Sequence, residues 1–135
     1  VAFQVLIYPA MLDRFNSTSY ADNKDGPILT LEDMVEFWDN YRAPAHAHSP
    51  YFAPLRADSL AALPPALVML AGRDVLHDDG QEYATRLQAA GVPVEVLEYP
   101  PAPHGLVSIT RPPFTLPMAF TVLQDLGDAV ARKLA

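Results

Sequence analysis

Pro65-Ala-Leu-Val-Met-Leu-Ala71 leads directly into Gly72-Arg-Asp-Val-Leu-His-Asp-Asp-Gly80, and this stretch decides the fold. A short apolar run between proline and glycine is typical of a buried strand, and a pair of acidic residues is typical of the first turn of a helix. The next apolar run, Val94-Glu-Val-Leu-Glu-Tyr99, comes after Gly91, a residue suited to ending a helix. A strand, a helix and a second strand in this order predict two neighbouring parallel strands.

Asp74 and His104 each follow one of these two strands. The second strand is predicted to turn through Pro100 and Pro101 before the chain reaches His104. Parallel strands end at the same edge of their sheet, and open α/β folds place their active sites at that edge. An acid followed by a histidine matches the second and third members of the chain order Ser…Asp…His. Taken singly, Asp74 also fits an ordinary turn and His104 a surface loop.

No serine of the chain fits the first member of that order. A nucleophilic serine of this kind stands on a tight turn with glycines on both sides. None of the serines has glycines at those positions; they are Ser17, Ser19, Ser49, Ser59 and Ser108. We therefore expect the nucleophile to lie outside this sequence, which opens at Val1 inside a strand-like run and resembles a piece of a longer chain.

Further segments also have regular patterns. Val1 to Tyr8 is nearly all apolar, as expected for a parallel strand covered on both faces. Thr30 and Asp33 match a capping box that opens a helix. Its predicted buried face consists of Leu31, Met34, Val35, Trp38 and Tyr41. A last helix is predicted from about Pro117 to Leu134. Its predicted apolar stripe consists of Phe120, Leu123, Gly127, Val130 and Leu134.

Composition excludes several classes of protein. Half of the 135 residues are hydrophobic, so the sequence can form a core and is not disordered. A net charge of -7 argues against a nucleic-acid partner, whose phosphates need a basic surface. No apolar run is long enough for a membrane span. Cysteine is absent, which excludes disulfides and fits a reducing compartment, and no secretory leader is visible; we expect a cytoplasmic protein.

Four blocks of sequence together resemble one family. They are Leu6-Ile-Tyr-Pro-Ala10, Ser49-Pro-Tyr-Phe-Ala-Pro-Leu55 with Leu63-Pro-Pro-Ala66, Ala71-Gly-Arg-Asp-Val-Leu-His-Asp-Asp-Gly80, and His104-Gly105. In their order and spacing the chain resembles the carboxyl-terminal part of an α/β-hydrolase of the hormone-sensitive-lipase group of esterases. The block around Asp74 is the most specific, because Asp-x-Leu-x-Asp-(Asp/Glu)-Gly marks this group. The resemblance implies an α/β fold: the carboxyl-terminal half of an α/β-hydrolase, with three parallel strands, helices and a cap.

The resemblance also implies a function and its residues. It predicts a carboxylic ester hydrolase for short or medium acyl chains, in which His104 is the general base and acid and Asp74 orients it. The cap would occupy about residues 11–50. The serine elbow and the glycine-rich oxyanion loop of the family would come from a missing amino-terminal half. A small-molecule ester is the expected substrate, and no cofactor or metal is implied. The alternatives are a related hydrolase of amides or lactones and a non-catalytic binding module.

Other polar residues near these motifs have simpler interpretations. Asp78 is expected to be a helix N-cap or a brace for the acid loop and not a catalytic group. His46 and His48 form a His-x-His pair, but no further metal-ligand pattern accompanies them, so we expect a solvated loop. His77 occupies the variable position of the acid motif, and no function is expected for it.

Aromatic residues of the insertion allow two interpretations. Trp38, with Met34, Phe37 and Tyr41, either lines an acyl pocket or packs a lid helix on the sheet. Tyr51 and Phe52 are open to the same two interpretations. The exposed first strand is expected to pair with a strand that this chain does not contain, so the chain alone should associate with itself or with the missing half.

Overall fold

A parallel sheet of three strands forms the centre of the chain, whose computed structural model describes residues 1–42 and 48–134. The strands lie in the order β1-β2-β3, and both neighbouring pairs are parallel. The predicted strand, helix and strand unit is therefore confirmed. The elements in chain order are β1 Gln4–Ile7, α1 Thr18–Asp22, α2 Leu31–Tyr41, β2 Ala66–Arg73, α3 His77–Ala89, β3 Val94–Pro103, β4 Thr110–Arg111, β5 Phe114–Thr115 and α4 Pro117–Leu134, with short 3₁₀ turns at Pro54–Arg56 and Leu106–Ser108.

β3 is longer than the sequence suggested. The predicted turn at Pro100 and Pro101 is wrong, because the strand continues to Pro103 and places it opposite Arg73 of β2. The pairing is irregular between Ala71 and Arg73, where the backbone of Gly72 lies against Pro100. A Cβ on Gly72 would come within 2.5 Å of the Pro100 carbonyl oxygen, so glycine alone permits this approach. The irregularity brings the ends of both strands, and the residues that follow them, side by side.

The two faces of the sheet are covered by different helices. α3 packs on one face through Tyr83, Ala84 and Leu87, and Gly91 ends it in the left-handed region with a φ of 78°. α4 covers the other face, and of the predicted stripe Val130 packs against the core, whereas Phe120 is 54% and Leu123 42% exposed. Its buried face consists of Ala119, Val122, Leu126 and Ala129. Small side chains such as Ala119 and Ala129 let the helix approach the sheet closely. A pattern of large apolar residues does not reveal such a face.

The segment between β1 and β2 forms a third layer of packing. α2 begins with the predicted capping box, in which Thr30 and Asp33 bond each other's backbone N–H groups. Met34 and Trp38 are buried, whereas Val35 and Tyr41 of the predicted face are exposed. α1 lies in the stretch that the sequence suggested to be a polar loop, and its Tyr20 is fully buried. The aromatic cluster of this layer consists of Tyr20, Trp38 and Phe52 with Leu29, Met34, Val75 and Leu76.

β1 forms an edge of the sheet, and β2 is its one strand neighbour among the described residues. Val5 and Ile7 are 39% and 40% exposed, so the expected cover on both faces of this strand is not present within the chain. The edge position itself agrees with the sequence-based expectation. Across residues 1–42 and 48–134, no helix has the length and apolar character needed to cross a bilayer.

Candidate active site

Asp74 and His104 meet at the carboxyl edge of the sheet. The His104 Nδ1 atom lies 2.7 Å from Asp74 Oδ2, and because an ionised carboxylate can only accept, the ring N–H is the donor. The Asp74 side chain is 1% exposed, and its other oxygen accepts the backbone N–H of Leu76 at 2.9 Å. One carboxylate oxygen thus holds its own loop, while the other holds the imidazole. The structure brings together the two residues that the sequence singled out.

Local backbone geometry sets this contact. Asp74 follows the last residue of β2, and its carbonyl accepts the N–H of His77 at 3.2 Å as the chain turns into α3. On the other strand, Gly105 follows His104 with a φ of 71°, a left-handed conformation that glycine adopts without a steric penalty. Leu106 then inserts fully into the core and anchors the loop. Both side chains are therefore held by short, well-anchored turns.

The second ring nitrogen of His104, Nε2, is available for proton transfer. Among the described residues, Nε2 has no hydrogen-bond partner, and the side chain is 25% exposed. His104 lies on the wall of a cavity of about 630 Å³. The other lining residues are Ala10, Leu29, Met34, Phe37, Trp38, Tyr41, Tyr51, Phe52, Pro54 and Leu76. A histidine with one nitrogen fixed by a buried acid and the other facing an apolar cavity can exchange a proton with a bound molecule.

The aromatic residues of the insertion both pack in the core and line the cavity. Trp38 and Phe52 are buried and pack edge to face at 5.0 Å between ring centroids, so they form part of the core. Tyr41 stacks on Phe52 at 5.2 Å and is largely exposed. Phe37 and Tyr51 are also exposed and line the cavity. One layer both packs the insertion and walls the cavity beside His104.

A second acid and histidine cluster lies directly beside the first. His77 Nδ1 is 3.0 Å from Asp78 Oδ1, and its Nε2 is 3.3 Å from Glu98 Oε1. Burial disfavours the charged imidazolium, but the hydrogen bonds to both carboxylates outweigh it and raise the pKa of His77. His77 therefore has structural contacts that the sequence did not indicate. Both of its ring nitrogens are bound to carboxylates.

Asp78 is a brace and not an N-cap. The N-cap position of α3 is Leu76, and no side chain caps it. Asp78 Oδ2 accepts the N–H of Ser19 at 2.9 Å, which ties α1 to the start of α3. Burial alone would raise the pKa of Asp78, but hydrogen bonds from His77 and Ser19 lower it. Of the two structural roles expected for Asp78, the brace is the correct one.

Asp79 is a buried residue whose role the sequence analysis missed. Its Oδ2 accepts the backbone N–H groups of Met11 at 3.0 Å and Leu12 at 3.1 Å, so it anchors the beginning of the insertion. Burial raises the pKa of Asp79 to about 6, against the opposite effect of these two hydrogen bonds. Its place beside Asp78 is the available signal, but the sequence pattern indicates only an acidic first turn of the helix for Asp79.

Ser19 has a structural hydrogen bond, and the His-x-His pair is described only in part. Ser19 is buried, and its hydroxyl donates to the Val75 carbonyl at 2.7 Å. His46 of the His-x-His pair lies within residues 43–47, outside the described residues, whereas His48 is described and exposed. In the part of the chain that the structure describes, no group of three histidine or acidic side chains is arranged to hold a metal ion.

Comparison with known proteins agrees with this geometry. The chain belongs to the alpha/beta hydrolase fold family, which matches residues 1–108. It is 43% identical over 109 residues to Esterase LipI of Mycobacterium tuberculosis, a match that covers 79% of this chain and 34% of LipI. The predicted fold class and family are thereby confirmed. The chain spans about a third of the length of the curated relatives that it matches.

Solved structures give the same result. A variant of the esterase rPPE superposes with a TM-score of 0.86 at 40% identity, covering 93% of this chain and 40% of that one. An esterase of Pyrobaculum calidifontis has a TM-score of 0.84 at 35% identity and covers 96% of this chain and 42% of its own. At these identities the likeness extends to sequence as well as fold.

Proposed function

We propose that this chain is the acid and histidine part of a carboxylic ester hydrolase. The observation that carries the proposal is the 2.7 Å contact between His104 Nδ1 and the buried Asp74, together with the position of His104 on the wall of a cavity. Relatives named as esterases support the same reaction class. The serine nucleophile and the oxyanion donors would come from an amino-terminal segment outside this sequence.

Each residue then has a defined chemical task. His104 Nε2 takes the proton of the serine hydroxyl as the serine oxygen attacks the ester carbonyl. It returns that proton to the alkoxide as the bond between the acyl carbon and the alcohol oxygen breaks. Water then attacks the acyl-serine with His104 again as the base, which releases the acid and restores the serine. Asp74 keeps the proton on Nδ1 and stabilises the imidazolium throughout.

The cavity supports a small apolar ester as the substrate. Its wall beside His104 consists mainly of aromatic and aliphatic side chains, and its volume of about 630 Å³ lies in the range of small-molecule sites. Acyl chains of short to medium length are therefore the proposed substrates. An apolar wall gives little discrimination between chains that differ by one methylene, so activity should decline gradually with chain length.

The unpaired edge of β1 supports the need for the missing segment. Exposed Val5 and Ile7 and the open backbone of β1 suit a further strand from that segment. Without it, we expect this chain to self-associate at micromolar concentration. Light scattering measures this directly: a stable, monodisperse monomer would contradict the proposed role of the edge.

The proposed activity is tested by comparing two proteins. The 135-residue chain alone should not hydrolyse p-nitrophenyl acetate, because the nucleophile and oxyanion donors are each worth orders of magnitude in rate. The product of the complete reading frame that contains it should hydrolyse p-nitrophenyl acetate and butyrate and react with a fluorophosphonate. A complete product that neither hydrolyses esters nor reacts with the probe would overturn the proposal in favour of a binding module. Saturable hydrolysis by the chain alone, lost in His104→Ala, would overturn the assignment of the nucleophile to another segment.

A further inference from the structure

Tyr8 lies beside the dyad in a conformation unusual for its residue type. It follows β1 directly, its side chain is buried, and its N–H donates to the Met69 carbonyl of β2 at 3.1 Å. Its φ is 49°, in the left-handed region that a bulky residue seldom adopts. Such conformations persist where surrounding contacts impose them and are concentrated at functional sites. The backbone of β1 therefore aims this side chain in a direction that an extended strand would not give.

Two contacts connect the Tyr8 side chain to the loop that carries His104. The hydroxyl oxygen accepts the N–H of Val107 at 3.1 Å, across 99 positions of sequence. Val107 lies in the first turn of the 3₁₀ turn at Leu106–Ser108, where backbone N–H groups lack partners within the turn. The ring of Tyr8 lies 5.0 Å from the imidazole of His104, tilted by 50°. The same side chain thus contacts both the loop backbone and the catalytic ring.

We propose that Tyr8 is a positioning residue for His104, with its hydroxyl fixing the loop and its ring fixing the tilt of the imidazole. This inference rests on the proposed function for its catalytic consequence. Asp74 restrains one atom of the imidazole, Nδ1, and a single hydrogen bond leaves the ring free to pivot about that atom. The face contact from Tyr8 removes this freedom, so that Nε2 keeps its direction toward the cavity.

The electrostatic setting suits a neutral tyrosine acting as an acceptor. Burial raises the pKa of the Tyr8 hydroxyl, the N–H of Val107 counteracts this, and the negative charge of Asp74 adds to the increase. The hydroxyl therefore stays protonated through the neutral range and takes no part in proton transfer itself. Its role is to hold the loop.

Two substitutions and a matched control separate positioning from simple packing. Tyr8→Phe keeps the ring and removes the hydroxyl that holds Val107, whereas Tyr8→Leu also removes the ring contact. Tyr99→Phe is the control, since the Tyr99 hydroxyl donates to Asp125 on α4 at 2.8 Å and, among the described residues, makes no hydrogen bond to the His104 loop. Each tyrosine to phenylalanine change thus removes one long-range hydrogen bond.

The first measurement is NMR on the product of the complete reading frame, because this chain alone is expected to self-associate, and it needs no enzymatic activity. In Tyr8→Phe, we expect hydrogen exchange at the Val107 amide to become at least about 10-fold faster and the downfield Nδ1–H signal of His104 to broaden. In Tyr99→Phe, both should match the original chain. An unchanged Val107 amide and His104 signal in Tyr8→Phe, or an equal effect in Tyr99→Phe, would overturn the proposal.

The second measurement is kinetics on the product of the complete reading frame. We expect Tyr8→Phe to lower kcat about 10-fold with KM nearly unchanged, because a misdirected base affects the chemical step more than binding. Tyr8→Leu should lose more, and Tyr99→Phe should keep its kcat. A kcat of Tyr8→Phe equal to that of the original enzyme would overturn the catalytic consequence. If the original enzyme hydrolyses no ester, the proposed function fails, and the NMR result still decides the positioning of His104.

Discussion

The molecule has two clusters of acid and histidine, one built on Asp74 and the other on His77, three residues further along the chain. They differ in how the histidine is bound. His104 has one nitrogen on the buried Asp74 and its second nitrogen open to a cavity. His77 has both nitrogens on carboxylates, one from Asp78 and one from Glu98. The Asp74 side chain is 1% exposed, and that of Asp78 is 36% exposed.

The difference shows that a histidine beside an acid is not by itself a catalytic group. General acid and base catalysis needs a nitrogen that can reach a substrate, and His104 offers one while His77 does not. A buried acid also holds its partner in one tautomer more firmly than a solvated acid, because competing water is absent. The motif around Asp74 contains one acid of each cluster, Asp74 and Asp78, and the geometry of the two histidines distinguishes the clusters.

Replacing each histidine by alanine should give the largest contrast. In the product of the complete reading frame, we expect His104→Ala to lower kcat by at least about 10⁴-fold, because His104 is the proposed carrier of the proton. We expect His77→Ala to keep kcat within about 10-fold, since its nitrogens have no route to substrate. Steady-state hydrolysis of p-nitrophenyl butyrate measures both. Equal losses in the two variants would remove the distinction between the clusters.

The close approach of β2 and β3 gives the second contrast. Gly72→Ala places a Cβ within 2.5 Å of the Pro100 backbone, and backbone cannot move aside as a side chain can. We expect a loss of about 2 kcal/mol in the free energy of unfolding, with a further loss of activity as the two strand ends separate. Gly127→Ala on α4 is the control, because nothing lies within 4 Å of its added Cβ.

Thermal and urea unfolding of both glycine variants provide the test. Alanine in an exposed helix position should stabilise the fold by up to about 1 kcal/mol. If Gly72→Ala is as stable as the original chain, the tight strand contact does not set the geometry of Asp74 and His104.

The smallest effect is a pH dependence of stability from the His77 cluster. The pKa of His77 is raised above 6.5, so its stabilising contribution is complete below that value and is lost as pH rises through the folded-state pKa. The pKa of Asp78 is lowered below 3.8, so its contribution is lost only as pH falls through that lower value. The cluster therefore stabilises the fold most between these two limits.

His77→Gln should flatten the dependence of the free energy of unfolding on pH in the range where His77 loses its proton. We expect a difference of less than about 1 kcal/mol from about pH 5 to about pH 8, since the partly exposed carboxylates are screened by water. Asp79, whose pKa of about 6 makes its ionisation unfavourable to the fold as pH rises, is present in both proteins and cancels in the difference. Parallel curves for the two proteins would show that the His77 contacts contribute nothing.

The sequence predicted the central unit because its signals are local. Strong apolar runs marked β2 and β3. That Asp74 and His104 lie close together followed from the rule that the carboxyl ends of parallel strands meet at one edge of the sheet. The capping box at Thr30 was equally readable, since it joins residues three positions apart. In each case, nearby residues determine the structure and leave little to tertiary context.

The missed features depend on contacts between distant residues. The hydrogen bond from the Met11 N–H to Asp79, and that from the Val107 N–H to Tyr8, each join segments far apart in sequence. The continuation of β3 through two prolines reflects pairing with β2, which local preference opposes. The buried face of α4 includes small residues such as Ala119. Which face of this helix is buried therefore depends on how closely the helix can approach the sheet.

The most direct test of the account compares two carboxylate substitutions in the product of the complete reading frame. Asp74→Asn keeps the shape but offers a donor to a histidine nitrogen that must also donate, and we expect kcat to fall by about 10⁴-fold with folding retained. Asp78→Asn should keep kcat and lower the melting temperature slightly, because it weakens the contacts to His77 and Ser19. Steady-state kinetics with a melt on both variants gives the result. Near-normal turnover in Asp74→Asn, with turnover abolished in Asp78→Asn, would contradict the assignment of Asp74 as the acid that orients His104.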